Sequence, residues 1–267
     1  MIDDIEHIRN RYNSMVDDED NRLVEYKLEK DITIRYLQNY LPKEGRVLEI
    51  GAATGAYTEW LAGQGYEVTA VDLSPNLISR NKERIAACGY ANQVDFHVAD
   101  ARDISVVPGS DYDAVLLMGP LYHFYLVENR SKALQQAVGR LKQGGTFISA
   151  MISRYGILGS LMNQIPDWIE RQDEVRSLME KGHDPVELGG FRGYYITMDE
   201  IIPFHEAAGL KTEVVAGTEP AISDNADSYN RLEGKRRELW LDLLFEISND
   251  PTMIASSRHL LYVGRKG

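Results

Sequence analysis

Five short runs of β-branched and aliphatic residues recur along the first 151 positions of the chain: Arg46 to Ile50, Tyr66 to Val71, Val94 to Val98, Tyr112 to Met118 and Thr146 to Met151. Each is short, rich in β-branched or aliphatic residues and ends at Gly, Asp or a polar residue, and together they read as buried parallel strands. Between them the period changes to that of amphipathic helices over Tyr57 to Gln64, Pro75 to Ala87 and Asn129 to Leu141. The "LSPN" stretch supplies a helix start, and Gly65, Gly89 and Gly144 mark stops. Strand and helix alternate, so the expected class is α/β, a doubly wound and mostly parallel sheet.

Three segments fall outside that alternation. Residues 1–40 carry ten acidic side chains and a helical pattern through Ile32, Ile34, Tyr36 and Leu37, which reads as an N-terminal helical lid. Residues 152–196 and 221–250 interrupt the pattern after the fifth strand and before the closing "RHLLYVGRKG". Insertions of this size tend to be functional, and both are expected to cap the strand ends of a single domain over residues 1–267.

Composition narrows the partners. A formal net charge of −12 repels phosphate backbones, which disfavours nucleic acid. A lone cysteine, Cys88, excludes an internal disulfide framework and a multi-cysteine metal site, and fits a reducing cytoplasm. The opening "MIDDIEHIRN" has no apolar core, so neither a secretory signal nor a membrane anchor is expected there.

The candidate chemistry starts at "LEIGAATGAYTEW". A strand that ends in Gly51-x-Ala53-x-Gly55 and passes into a helix lets a ligand approach the backbone closely, because bulky side chains are missing. A dinucleotide and S-adenosylmethionine both fit such a turn. Asp72, about twenty residues on, suits the ribose of either. Glu49 would oppose a pyrophosphate but suits a ligand carrying an ammonium group, and Asp100, at the end of the third strand, is placed to accept from an adenine amino group. With "MGPLYH" at the same edge after the fourth strand, these residues favour S-adenosylmethionine.

In order and spacing, "VLEIGAATGAYT", "VTAVDLS", "VADARDI", "YDAVLLMGPLYH" and "LKQGGTFISA" resemble the successive motifs of class I S-adenosylmethionine-dependent methyltransferases. The later "YYITMDEIIPFHEAAGLKTEVV" and "HLLYVGRKG" are similar to that family's last helix and final strand pair. The resemblance implies a seven-stranded, Rossmann-like sheet with one antiparallel strand inserted. It implies that Glu49, Gly51, Ala53 and Gly55 surround the methionine part of the cofactor, with Ala53 in place of a usual glycine. It further implies that Asp72 binds ribose, Leu73 packs on adenine, Asp100 with Ala101 meets the adenine amine, and Met118 lines the site.

Methyl transfer is an in-line displacement that needs a base only when the nucleophile holds a proton. His123, beside Tyr122 after the fourth strand, is the expected base; the alternative is that both pack beneath a lid or orient the loop. The remaining histidines, His7, His97, His183, His205 and His259, lie in helix, strand or insertion contexts, and no metal is expected. The segment lacks the Asn-Pro-Pro-aromatic signature found where nucleobase amino groups are methylated, so a small-molecule acceptor with an O or N nucleophile is expected. The segment "RYNSMVDDEDNRL" resembles the start of a bacterial branch of the family, which implies that Tyr12 folds over the cofactor. Arg154, Tyr155, Trp168, Phe191, Tyr194 and Tyr195 offer contacts for the acceptor. Two other readings remain open: a non-catalytic S-adenosylmethionine-binding regulatory protein, and a NAD-dependent oxidoreductase, against which Glu49 and the closing strand pair argue.

Overall fold

Eight strands, Arg46–Ile50 (β1), Glu67–Asp72 (β2), Val94–Val98 (β3), Tyr112–Met118 (β4), Leu141–Ser153 (β5), Tyr195–Ile196 (β6), Leu210–Gly217 (β7) and His259–Lys266 (β8), join in one sheet. The computed structural model describes residues 5–183, 193–222 and 225–267. Within them the strand order is β3-β2-β1-β4-β5-β8-β7, with β6 pairing alongside β5. The first five strands are mutually parallel, and β8 runs antiparallel to both β5 and β7.

Alternation along the central strands sorts side chains onto two covered faces. Leu48, Ile50, Val115, Leu117 and Phe147 pack in one core with Leu134 and Ile201, from the helices Val127–Arg140 and Met198–Glu206. Val47, Ala114, Leu116 and Ile148 pack in the other, beneath Lys27–Tyr40 and Ala56–Gly63. Both faces of the central strands are covered, which is why β4 reads as a nearly continuous apolar run.

The twelve described helices are α1 (Ile5–Ser14), α2 (Val16–Glu25), α3 (Lys27–Tyr40), α4 (Ala56–Gly63), α5 (Pro75–Ala87), α6 (Val127–Arg140), α7 (Leu158–Gln164), α8 (Gln172–Lys181), α9 (Met198–Glu206), α10 (Ala226–Asn230), α11 (Gly234–Ile247) and α12 (Pro251–Ser256). The expected boundaries of α5 are met because Ser74 accepts the Leu77 N–H at 3.1 Å and Pro75 fills the first turn. The α9 start is held by a capping box between Thr197 and Glu200.

The three outlying segments behave differently. Helices α1 and α2 fold back over α5 at the C-terminal edge of the parallel strands. Helices α7 and α8 form a small satellite core with Trp168, Leu161 and Leu178 against Ile152 and Tyr195. The expectation that 221–250 caps the strand ends is corrected: α10 and α11 pack on α3, through Tyr229 to Asp31, Arg237 to Asp31 and Phe245 against Tyr36. An apolar face on α3 was available to bury them, and the strand-end edge was already covered by α1 and α2. No described helix is long and apolar enough to cross a membrane.

Candidate active site

The sharp turn after β1 is set by two glycines whose side-chain-free backbone is needed for packing. Gly51 has φ of +83°, and a Cβ there would lie 2.3 Å from the Met118 carbonyl oxygen. Gly55 has φ of +90°, and its Cβ would lie 2.1 Å from Asn81 Oδ1 of α5. Gly51 borders the cavity described next; Gly55 does not, and serves the contact between α4 and α5. Ala53 sits in the left-handed region at φ of 45°, held there by its N–H, which donates to Asp72 Oδ2 at 2.9 Å.

A cavity of about 260 Å³ opens at the C-terminal edge of the parallel strands, the place where open α/β sheets bind ligands. One end is bordered by Gly51, Ala53, Asp72, Leu73, Asp100, Ala101 and Met118, the residues that the sequence points to. Asp72 accepts N–H groups from Ala53 and Ser74, each at 2.9 Å, which leaves lone pairs on both oxygens. Burial pushes its carboxyl up to about 6 against those two bonds. Asp100 is engaged by its neighbour Arg102, whose Nη2 lies 2.6 Å from Oδ2.

Glu49 is placed otherwise than its expected part in surrounding a ligand. It is 1% exposed, lies behind the cavity wall and accepts the Thr58 hydroxyl at 2.6 Å. Burial is the main reason its carboxyl rises to about 8; the nearby Asp72 adds to the rise and the Thr58 bond opposes it.

The roof and far end come from the first three helices and from strand ends. Ile5, Ile8, Arg11 and Tyr12 of α1 cover the cavity, followed by Glu19, Arg22 and Leu23 of α2 and Glu29 of α3. Tyr12 Oη lies 2.9 Å from His123 Nε2, a direct tie between α1 and the loop after β4. Burial raises the Tyr12 hydroxyl well above its usual range, which keeps it neutral beside the imidazole. Tyr122 borders the same space, and Tyr57 contributes a buried hydroxyl with no hydrogen-bond partner in the described structure.

The expected acceptor contacts are corrected. Arg154 is buried away from the cavity, donating to the Tyr195 carbonyl and to Glu200. Tyr155 is 52% exposed and borders no part of it. Tyr194 lies under Arg130, whose guanidinium sits 3.4 Å from the ring centroid, and donates to Glu200 at 2.7 Å. It faces a second hollow between α6 and α9. Phe191 lies outside the described residues. Of the segment 152–196, Ile152 alone among the described residues borders the cavity.

Arg22, within the family-like "RYNSMVDDEDNRL" stretch, borders the far end, and three polar residues there had no sequence signal of their own: Glu29, Tyr57 and His259. Arg22 Nη1 donates to both Glu29 oxygens, at 3.0 and 2.9 Å. His259 is the first residue of an antiparallel strand, and that reversal brings it to the ligand edge. With Glu29 and the buried Glu219 it forms a cluster whose ligand atoms lie within 4.8 Å of one another. Arg22 and Arg258 already pair with the two carboxylates, so charge at the cluster is balanced without a cation.

Residues 47–145 match the family described as "Methyltransferase domain". A ubiquinone biosynthesis O-methyltransferase of Xylella fastidiosa is 31% identical over 187 residues, which is 70% of this chain and 69% of that relative. A protein of the same description from Xanthomonas axonopodis pv. citri is 27% identical over 176 residues, 66% of each chain. The matched stretches thus span about two thirds of the relatives' lengths. Among solved structures, an S-adenosylmethionine-dependent methyltransferase of Methanosarcina mazei superposes with a TM-score of 0.59 at 17% identity, covering 86% of this chain and 96% of that one. An N-methyltransferase of Bradyrhizobium japonicum, solved with S-adenosylhomocysteine, gives a TM-score of 0.57 at 16% identity and covers 97% of both chains.

Proposed function

Because the chain belongs to the class I S-adenosylmethionine-dependent methyltransferase family, we propose that it methylates a hydroxyl oxygen of a small, largely apolar acceptor. S-adenosylmethionine supplies the electrophilic methyl group when it is bound. The observation that carries the reading is one cavity with two chemically distinct ends. Asp72 and Asp100 border the first, and two imidazoles, His123 and His259, border the second.

The first end suits a nucleoside. Asp72 keeps lone pairs for two ribose hydroxyls, Leu73 and Ala101 offer apolar flanks for adenine, and Asp100 would accept from its amine. Gly51 and Ala53 let the methionine part approach the backbone, and Met118 adds an apolar wall. Glu49 would act from behind that wall, as a buried acid whose ionisation a nearby cation favours.

The cavity is roofed by α1 and α2, so closure excludes water from the displacement. Its walls are apolar at Ile8, Leu23, Ala150 and Ile152. Arg22 pairs with both Glu29 and Glu19, and Arg11 borders the same cavity, so two cations against two carboxylates leave little net charge to attract a charged acceptor. Tyr12 and His123 together fasten the roof and position the acceptor. The two relatives named above are O-methyltransferases by description, and an acidic hydroxyl is the nucleophile that gives nearby imidazoles a task.

A transfer assay with methyl-labelled S-adenosylmethionine and a panel of small hydroxylated and amino compounds tests the reading. Label should pass to hydroxyl compounds; label passing to amines alone, or to nucleic acid, would overturn it.

A further inference from the structure

Strand β8 runs against β5, and its first residue, His259, pairs with Ile152 at the end of β5. The imidazole therefore borders the cavity at the edge where the parallel strands end. Its Nδ1 lies 2.8 Å from Glu219 Oε1, while Glu219 Oε2 accepts the His259 backbone N–H at 2.7 Å. Arg258 donates to the same carboxylate at 3.0 Å, and Glu219 is 3% exposed. Burial pushes this carboxyl up, but His259 and Arg258 outweigh it and hold it well below the usual range.

An ionised carboxylate at Nδ1 selects the tautomer with its proton there, which leaves the lone pair on Nε2. No hydrogen bond within the described residues uses that nitrogen. At His123 the arrangement is the reverse, since Nε2 already meets the Tyr12 hydroxyl. The other charged groups around His259 are Glu29 of α3, 3.4 Å from Nδ1, and Arg22 of α2, which neutralises Glu29.

Resting on the methyl-transfer reading, we propose that Glu219 and His259 form a base dyad whose Nε2 takes the proton of an acceptor hydroxyl of phenol-like acidity. The O–H bond breaks toward Nε2 and the oxygen's electron pair forms the new O–CH₃ bond. The S–CH₃ bond breaks with its pair staying on sulfur as a neutral thioether, and Glu219 stabilises the imidazolium that results. An aliphatic alcohol is too weak an acid for an imidazole to assist well, whereas a phenol lies within its reach.

His259→Asn tests the dyad, because the asparagine amide nitrogen takes the place of Nδ1 and keeps the bond to Glu219 while Nε2 is deleted. With labelled S-adenosylmethionine and phenol, catechol and 2-methoxyphenol as probes, its turnover should fall about 10²- to 10³-fold. Its affinity for S-adenosylhomocysteine should stay within about twofold, and added imidazole should partly restore His259→Ala. Glu219→Gln should move the acidic limb of the wild-type pH profile to lower pH. Imidazole nitrogen NMR of the protein without ligand gives a readout without turnover: His259 should carry its proton on Nδ1, and Glu219→Gln should lose that preference. A proton on Nε2, wild-type turnover in His259→Asn, or activity abolished by EDTA and restored by Mg²⁺ would each overturn the dyad. Wild-type protein that binds S-adenosylhomocysteine but methylates no phenol overturns the acceptor class alone. Failure to bind it overturns the methyl-transfer reading, which the NMR tautomer distinguishes from failure of the dyad's geometry.

Discussion

Tyr12 Oη and His123 Nε2, 111 residues apart in the chain, stand 2.9 Å from each other, with their rings meeting edge to face at 5.3 Å. This bond fastens α1 to the loop after β4 and closes the roof of the cavity. Tyr12→Phe keeps the ring and removes the bond, which costs about 1 kcal/mol. S-adenosylhomocysteine should then dissociate about fivefold faster, and amides of α1 should exchange sooner; unchanged rates of both would mean that the contact does not hold the roof.

Asp72 has a carboxyl raised to about 6 by burial, and ribose hydroxyls that donate to it favour the ionised form. Affinity for S-adenosylhomocysteine should therefore weaken as pH falls through about 6. Asp72→Asn should bind about 2–3 kcal/mol more weakly at pH 7.5 and lose that pH dependence. Calorimetric titrations between pH 5 and 8 check both, and a variant with wild-type affinity would remove Asp72 from the ligand.

Glu49 makes a prediction about stability. Its carboxyl moves from an ordinary 4.5 to about 8, so between those values the unfolded chain releases the proton and the folded chain retains it. Folded-state stability is undiminished by this group below 4.5 and falls as pH rises toward 8. In urea unfolding without ligand, Glu49→Gln should be more stable than wild type by about 2–4 kcal/mol near pH 8 and equal to it near pH 4.5. Parallel curves for the two proteins across this range would show that Glu49 is ionised in the fold.

Particular residues show why parts of this arrangement could be read in the sequence and others could not. A run such as Ala114 to Leu117 is apolar on both faces because both faces are covered, so strand positions and the parallel order follow from local pattern. Asp72 and Met118 end parallel strands and Asp100 follows one by two residues, and strand ends share one edge whatever the loops do. Tyr194 and Arg154 could not be placed this way, since their neighbours are chosen by how an insertion packs, and both turn to Glu200. His259 was hidden by direction: a residue that begins an antiparallel strand lies beside residues that finish parallel ones. Gly55 looked like a ligand position and is a helix contact, because a close approach of Asn81 demands the same missing side chain.

The roof assignment separates the three outlying segments by exchange. S-adenosylhomocysteine should slow amide exchange in α1 and α2, whose residues border the cavity, and leave α10 and α11, which pack on α3, unchanged. Equal protection of α11 and α1 would restore residues 221–250 as part of the cap.

The central claim is that this cavity holds S-adenosylmethionine through the acids at its first end. Isothermal titration of the wild-type chain with S-adenosylmethionine, S-adenosylhomocysteine and NAD tests it most directly. The account predicts one saturable site for the first two ligands, lost or strongly weakened in Asp72→Asn, and no heat from NAD. Saturable binding of NAD with none of the two sulfur nucleosides would contradict it.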